Sequence, residues 1–133
     1  MGTRSLTFFY ETEMADPISR PFLNMYRQFD GYPAGHGLEL SNFLNGMTMV
    51  NGYGSEQEDG GYANGMGCLA AQAIAHFKQG IGGFYIVSVD ERDCGQDYEY
   101  HVYPDGVVVK RYDDDELFSG SWSEFDDFCE NAE

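Results

Sequence analysis

The chain has 133 residues, enough for one domain, here read as 1–133, that closes a modest core without staples. Apolar residues make up 42% and aromatics 16%, which excludes a disordered composition. The 23 Asp and Glu against 7 Lys and Arg leave a formal net charge of -16. That excludes a general nucleic-acid or anionic-membrane binder, since either needs a cationic face to displace counterions.

In chain order, residues 4–10 alternate and are rich in β-formers, so they predict a strand with Leu6, Phe8 and Tyr10 on one face. A polar connection to Arg20-Pro21 follows. A second strand is predicted over Phe22–Phe29, with Leu23, Met25, Arg27 and Phe29 on one side. The period of two puts Arg27 on the apolar face, where its charge needs a carboxylate, a carbonyl cluster or a ligand. Residues 30–37, with three glycines and a proline, predict a loop with little regular structure. Leu38–Asn45 reads as a short helix stopped by Gly46, and residues 47–63 as a long glycine-acidic loop.

Asn64 is placed to cap a second helix over Gly65–Lys78, with Leu69, Ala70, Ala73, Ile74 and Phe77 as its apolar stripe. Phe84–Asp90 is nearly continuous in apolar character, which predicts a central strand. Tyr98–Tyr103 and Val107–Tyr112 read as strands joined at Pro104-Asp105-Gly106. After the acidic turn Asp113–Glu116, Ser121 or Ser123 caps a last helix with Trp122, Phe125, Phe128 and Cys129 inward. The expected fold is α+β: an antiparallel sheet of about five strands with about three helices, in the order β-β-α-α-β-β-β-α, covered on one face.

Charge is distributed unevenly. Residues 1–52 carry 5 acids and 3 bases, whereas residues 53–133 carry 18 and 4. The near-neutral first part holds the densest candidate site. Arg4 and Arg27 offer charge-assisted hydrogen bonds, Tyr26 and Tyr32 flat aromatic area, and Asp30 and His36 acid–base groups. Gly35, His36 and Gly37 lead into a helix start whose amides suit an anion. The leading expectation is a non-enzymatic protein that holds a small anionic, nucleotide-like ligand at these eight residues. The competing reading is structural, with the glycines making turns and the arginines pairing with Asp30, Glu39 or other acids.

A second expectation is an acidic inhibitor that mimics nucleic acid and blocks a basic protein surface through Asp113, Asp114, Asp115 and Glu116. Nine acids follow from Asp113 onward with no base among them. Their simpler reading is a solvated edge. A third is a small hydrolase with His36 and Asp30 in acid–base roles. No metal or cofactor is expected. The acidic turn lacks the ligand pattern of a calcium loop. Asp97, Glu99, His101 and Tyr103, spread along one strand face, read as a polar solvent face. Cys68 and His76 lie two helical turns apart, too far for a dyad.

The three cysteines fit a reducing compartment. No signal peptide or membrane span is evident, so a cytoplasmic setting is expected, and a homo-oligomer is possible.

The segments Met1–Thr7, Asn24–Gly37, Ala63–Gln72, Gly95–His101 and Phe118–Trp122 carry a resemblance to a family of small, largely uncharacterised proteins of tailed phages and bacteria. The resemblance implies a viral or prophage setting in a host cytoplasm, with anti-defence action by sequestering a signal or blocking a host defence protein. It implies no specific activity.

Overall fold

The structure is a computed structural model and describes residues 2–52 and 61–132. Six strands form the main sheet: β1 (Ser5–Tyr10), β2 (Pro21–Arg27), β5 (Phe84–Val87), β6 (Tyr98–Tyr103), β7 (Gly106–Arg111) and β8 (Glu116–Gly120). Their spatial order is β5-β2-β1-β6-β7-β8. Only β1 and β6 pair in parallel; the other ladders of this sheet are antiparallel. Three helices, α1 (Leu38–Asn45), α2 (Gly65–Phe77) and α3 (Trp122–Glu130), pack on one face. The α+β class stands as expected. Among the described residues no helix is long and apolar enough to cross a membrane.

The central position of β1 explains its composition. All six of its residues are buried. Phe9 faces the helices with Met25, Tyr100, Val102, Val107 and Val109. Leu6, Phe8 and Tyr10 face the other side, as their alternation predicts. That second face is not left to solvent. The segment 88–97 lies across it: Asn24 Nδ2 donates to the Ser88 and Glu91 carbonyls, and Cys94 packs on the Leu6–Phe8–Tyr10 cluster.

Several expectations need correction. Phe84–Asp90 is not a central strand: β5 ends at Val87 and forms the sheet edge, pairing with β2 alone. Gly82 and Gly83, both at positive φ, turn the chain sharply after α2 and deliver it to the nearest free edge. Its inward residue Phe84 meets Phe77, while Tyr85 and Ile86 stay exposed. Lys78 Nζ donates to the Gly82 and Phe84 carbonyls, at 2.9 Å each, and so stoppers that edge.

The region 47–63 is not all loop. It contributes β3 (Thr48–Val50) and β4 (Tyr62–Asn64), which pair in parallel; its 53–60 part lies outside the described residues. Asn64 does not cap α2; its Oδ1 accepts from the Gly52 amide instead. The loop 30–37 contains a π-helical turn, Pro33–Gly37, that runs straight into α1. The acidic turn feeds a sixth strand, β8, whose pairing with β7 the polar sequence conceals. The turn Pro104-Asp105 and the α3 cap match their signals: Tyr103 pairs with Gly106, and Ser121 forms a capping box with Glu124.

Candidate functional site

Arg27 lies on the helix-covered face of the sheet, as its spacing requires, and is 9% exposed. Its neighbours engage Nε and one terminal nitrogen closely, and the other terminal nitrogen reaches Glu39 Oε2 only at 3.5 Å. Nε donates to the Phe29 carbonyl at 2.6 Å, and one terminal nitrogen donates to Glu39 Oε1 at 3.0 Å and to His36 Nδ1 at 3.1 Å. The Phe84 ring lies 4.9 Å from the guanidinium carbon. The carboxylate and the carbonyl foreseen as alternatives are thus both present.

His36 is completely buried between Phe77, Phe84 and Tyr100. Because Arg27 can only donate, His36 Nδ1 accepts, and Nε2–H donates to Thr7 Oγ1 at 2.8 Å. Burial, reinforced by the Arg27 charge, pushes its pKa down to about 3, so the ring is neutral at physiological pH. Neither ring nitrogen is open to a substrate, which removes the geometric basis for His36 as a general base.

The backbone of the same turn is equally committed. The Gly35 amide donates to the Tyr32 carbonyl at 2.9 Å and the His36 amide to the Asp30 carbonyl at 2.8 Å. The Gly37 amide reaches the Tyr32 carbonyl at 3.4 Å, and Leu38 N–H points to the carbonyls of Pro33 and Gly35. No free helix start remains there, because the π-helical turn supplies the carbonyls that α1 would otherwise lack. Gly37 serves packing: a Cβ there would stand 3.0 Å from Cys129 Sγ and 3.3 Å from the Tyr100 ring.

The remaining predicted residues disperse. Strands β1 and β2 pair, with Ser5 opposite Arg27, but Arg4 engages different neighbours. Its guanidinium crosses Gly95, where a Cβ would be 2.8 Å from a terminal nitrogen. Its amide faces Asp97 Oδ2 at 3.3 Å. Tyr26 projects to the opposite face of the sheet, against Tyr85. Asp30 is exposed at φ 61°, and Tyr32 is 37% exposed. The eight residues therefore do not converge on one pocket. What opens to solvent is a shallow hollow of about 400 Å³ lined by Gly2, Arg4, Gln28, Phe29 and Asp30.

The supposed solvent face of β6 is a second buried polar cluster. Glu99 is 3% and His101 5% exposed. Tyr10 O–H donates to His101 Nδ1 at 2.6 Å, and His101 Nε2–H donates to Glu99 Oε1 at 3.1 Å. Arg92 grips Glu99 with two hydrogen bonds, of 2.6 and 3.1 Å, and Gln96 Nε2 adds a third at 3.1 Å. His101 stacks on Phe8 at 4.8 Å. Burial raises the Glu99 carboxyl, but the hydrogen bonds from His101 and Arg92 and the Arg92 charge outweigh it and hold it at about 2. Burial lowers His101 and raises Tyr10, so the imidazole is neutral and the phenol keeps its proton. A raised phenol is the opposite of an activated nucleophile. The sequence signal for this cluster was Glu99 and His101 two apart on one strand. Its meaning depends on the parallel pairing that sets Phe8 beside His101.

The acidic candidates are accessible as a group. Asp113, Asp114, Asp115 and Glu116 are all exposed. Asp114, at φ 67°, lies 3.5 Å from the half-exposed Arg92 guanidinium. Helix α3 begins beside the Tyr103 carbonyl, which Trp122 Nε1 meets at 3.0 Å, passes Tyr100 at Phe125, and reaches Gly37 at Cys129. It therefore runs toward the end of the sheet where Tyr98 pairs with Arg111 and the acidic turn begins. The carboxylates of Asp126, Asp127 and Glu130 lie within 4.8 Å of one another on its last turns.

No family model matches the chain, and no curated protein or solved structure matches it either.

Proposed function

We propose that this chain is a non-enzymatic acidic docking protein that covers a basic surface of a protein partner, using the β7–β8 turn and the outer side of α3. The observation that carries this reading is the concentration of the exposed Asp113–Glu116, Asp127 and Glu130, with the half-buried Asp126 that accepts from Ser41 Oγ, toward one end of the sheet, in a segment, 112–132, without a single Lys or Arg. Such a field attracts a cationic surface and speeds encounter. The two buried clusters support it indirectly. Their titratable groups are hydrogen-bonded to one another and His36, Glu99 and His101 are buried, as architectural groups are. In the phage setting that the sequence resemblance implies, the partner class is a host defence protein with a basic, nucleic-acid-binding face.

The test compares the native protein with D113N/D114N/D115N/E116Q as immobilised bait in host-cell extract, at about 0.05 M and about 0.5 M salt. A partner held at low salt, released at high salt and lost by the variant is expected. A partner that the variant holds equally well at both salts would sink the reading.

A second reading, a protein that sequesters a small anionic ligand, is favoured by one observation: the Arg4 hollow. Its size falls in the range of small-molecule sites, and among the described residues the Arg4 guanidinium has no carboxylate partner. Nucleotides that raise the melting temperature of the native protein but not of R4A would select this reading over the first.

A further inference from the structure

The face made by the second half of α2 and by β5 belongs to neither reading. From Gly61 to Val89 the sequence has no Asp or Glu at all, in a chain of net charge -16. On this face Met25, Ile74, Lys78, Phe84, Tyr85 and Ile86 line an open, apolar hollow of about 170 Å³. On the turn that links α2 to β5, next to the hollow, Ile81 is fully exposed. Small-molecule sites take roughly 300 Å³ or more, so the hollow suits a single aliphatic side chain.

Charge decides whose side chain it is. A basic partner is met by carboxylates, and none lines this hollow; Glu39, near Phe84, is already paired with Arg27. A second copy of the chain, carrying the same large negative charge, is repelled by carboxylates, and the segment 61–89 that builds this face has none. The backbone edge of β5 is not the means of contact. Lys78 already holds the Gly82 and Phe84 carbonyls, and the Ser88 carbonyl accepts from Asn24 Nδ2 and the Glu91 amide. Contact runs through side chains.

We propose that two copies of this chain associate about a two-fold axis through the α2–β5 face, each seating its Ile81 in the hollow of the other. Knob and hollow are neighbours on one molecule, since Ile81 sits in the turn between the lining residues Lys78 and Phe84, so a single two-fold contact can satisfy both and close at two copies. The fit is one of shape and apolar burial, and the long-range repulsion between two acidic chains opposes it. Salt, by screening that repulsion, therefore tightens the pair. The proposal is independent of the docking reading, whose complex salt weakens.

Sedimentation equilibrium of the purified full chain, at about 0.05 M and about 0.5 M salt, tests it. The expected result is a monomer–dimer equilibrium, ending at twice the 14.9 kDa chain mass, with tighter association at the higher salt. I81D, and the uncharged I81S, weaken the dimer by about tenfold or more while the melting temperature of the monomer is kept. I18D, at an isoleucine 80% exposed elsewhere on the surface, leaves it unchanged. A monomer under all conditions, growth beyond the dimer, or equal weakening by I18D and I81D would overturn the proposal.

Discussion

At the scale of single residues, the chain shows how far a period of two can carry an argument. It places Arg27 on an apolar face and demands a partner there; it cannot say that His36 shares the answer. The guanidinium is worth most where it is dry. Glu39 is 53% exposed on its side chain, so its ion pair is screened and small. The Phe29 carbonyl and His36 Nδ1 would be left unmatched if the guanidinium were removed. R27M is therefore expected to lose about 2–3 kcal/mol in urea unfolding, and E39Q less than about 1 kcal/mol. Equal losses would place the weight on the ion pair. The histidines add a pH dependence of definite sign. His36 binds its proton at about 3 when folded and near 6.5 when unfolded, and His101 is lowered in the same direction. Between those values the unfolded chain takes up protons that the folded chain refuses. Stability is then complete above about pH 6.5 and falls as the solution is acidified. The slope is about 1 kcal/mol per pH unit for His36, and His101 adds to it in the same direction. Glu99, held at about 2 against an ordinary 4.5, extends the loss below pH 4.5. The urea midpoint is expected to drop between pH 7 and pH 5, with a shallower drop in H36Q. A midpoint that stays level over that range would show that the histidines are not buried neutral.

At the scale of elements, local signals were legible where they were self-contained. Leu38–Asn45 carries its apolar side and its terminal glycine within ten residues, and α1 has those bounds. Pro104-Asp105 sets a two-residue turn. Illegible were features decided by distant partners. A nearly continuous apolar run, Phe84–Asp90, reads as a central strand, but the strand stops at Val87, one side of it packs on α2 and the sheet ends there. Glu116 reads as the end of the acidic turn, yet Glu116–Gly120 is a strand because β7 offers an edge. The eight candidate residues disperse for a local reason: successive side chains of a strand point to opposite faces, so Tyr26 and Arg27, adjacent in sequence and both candidates, face apart. The start of α3 allows a sharp test, since both Ser121 and Ser123 fit the capping pattern in sequence. Only Ser121 accepts from the Glu124 amide, at 3.1 Å, while Glu124 answers to the Ser121 amide at 2.8 Å. S121A is expected to destabilise by about 1 kcal/mol and S123A by a few tenths or less. A reversed order would put the cap elsewhere.

At the scale of the whole molecule, the charge of -16 resolves into surfaces of different character. The fold buries Glu99 with its own arginine, builds α2 and β5 from a segment, 61–89, without an acid, and gathers carboxylates where β7 turns into β8 and α3 ends. Whether that last surface merely keeps the chain soluble or meets a partner is decided by what neutralising it does to two separate quantities. The turn makes few bonds of its own: Asp113 Oδ1 accepts from the Asp115 amide, and Asp114 forms an exposed pair with Arg92. Asn can keep the first, and it tolerates the positive φ of Asp114 better than most residues. The crowding of like charge is the larger effect, because it acts among all the acids at that end. D113N/D114N/D115N/E116Q is therefore expected to melt a few degrees higher than the native protein at low ionic strength, with the gain fading at about 0.5 M salt as the repulsion is screened. Natural surfaces give up stability in this way where binding requires it. A variant that is more stable yet no longer holds a basic partner assigns the acids to recognition, whereas one that is less stable at low salt shows that the turn depends on its local bonds more than it suffers from repulsion.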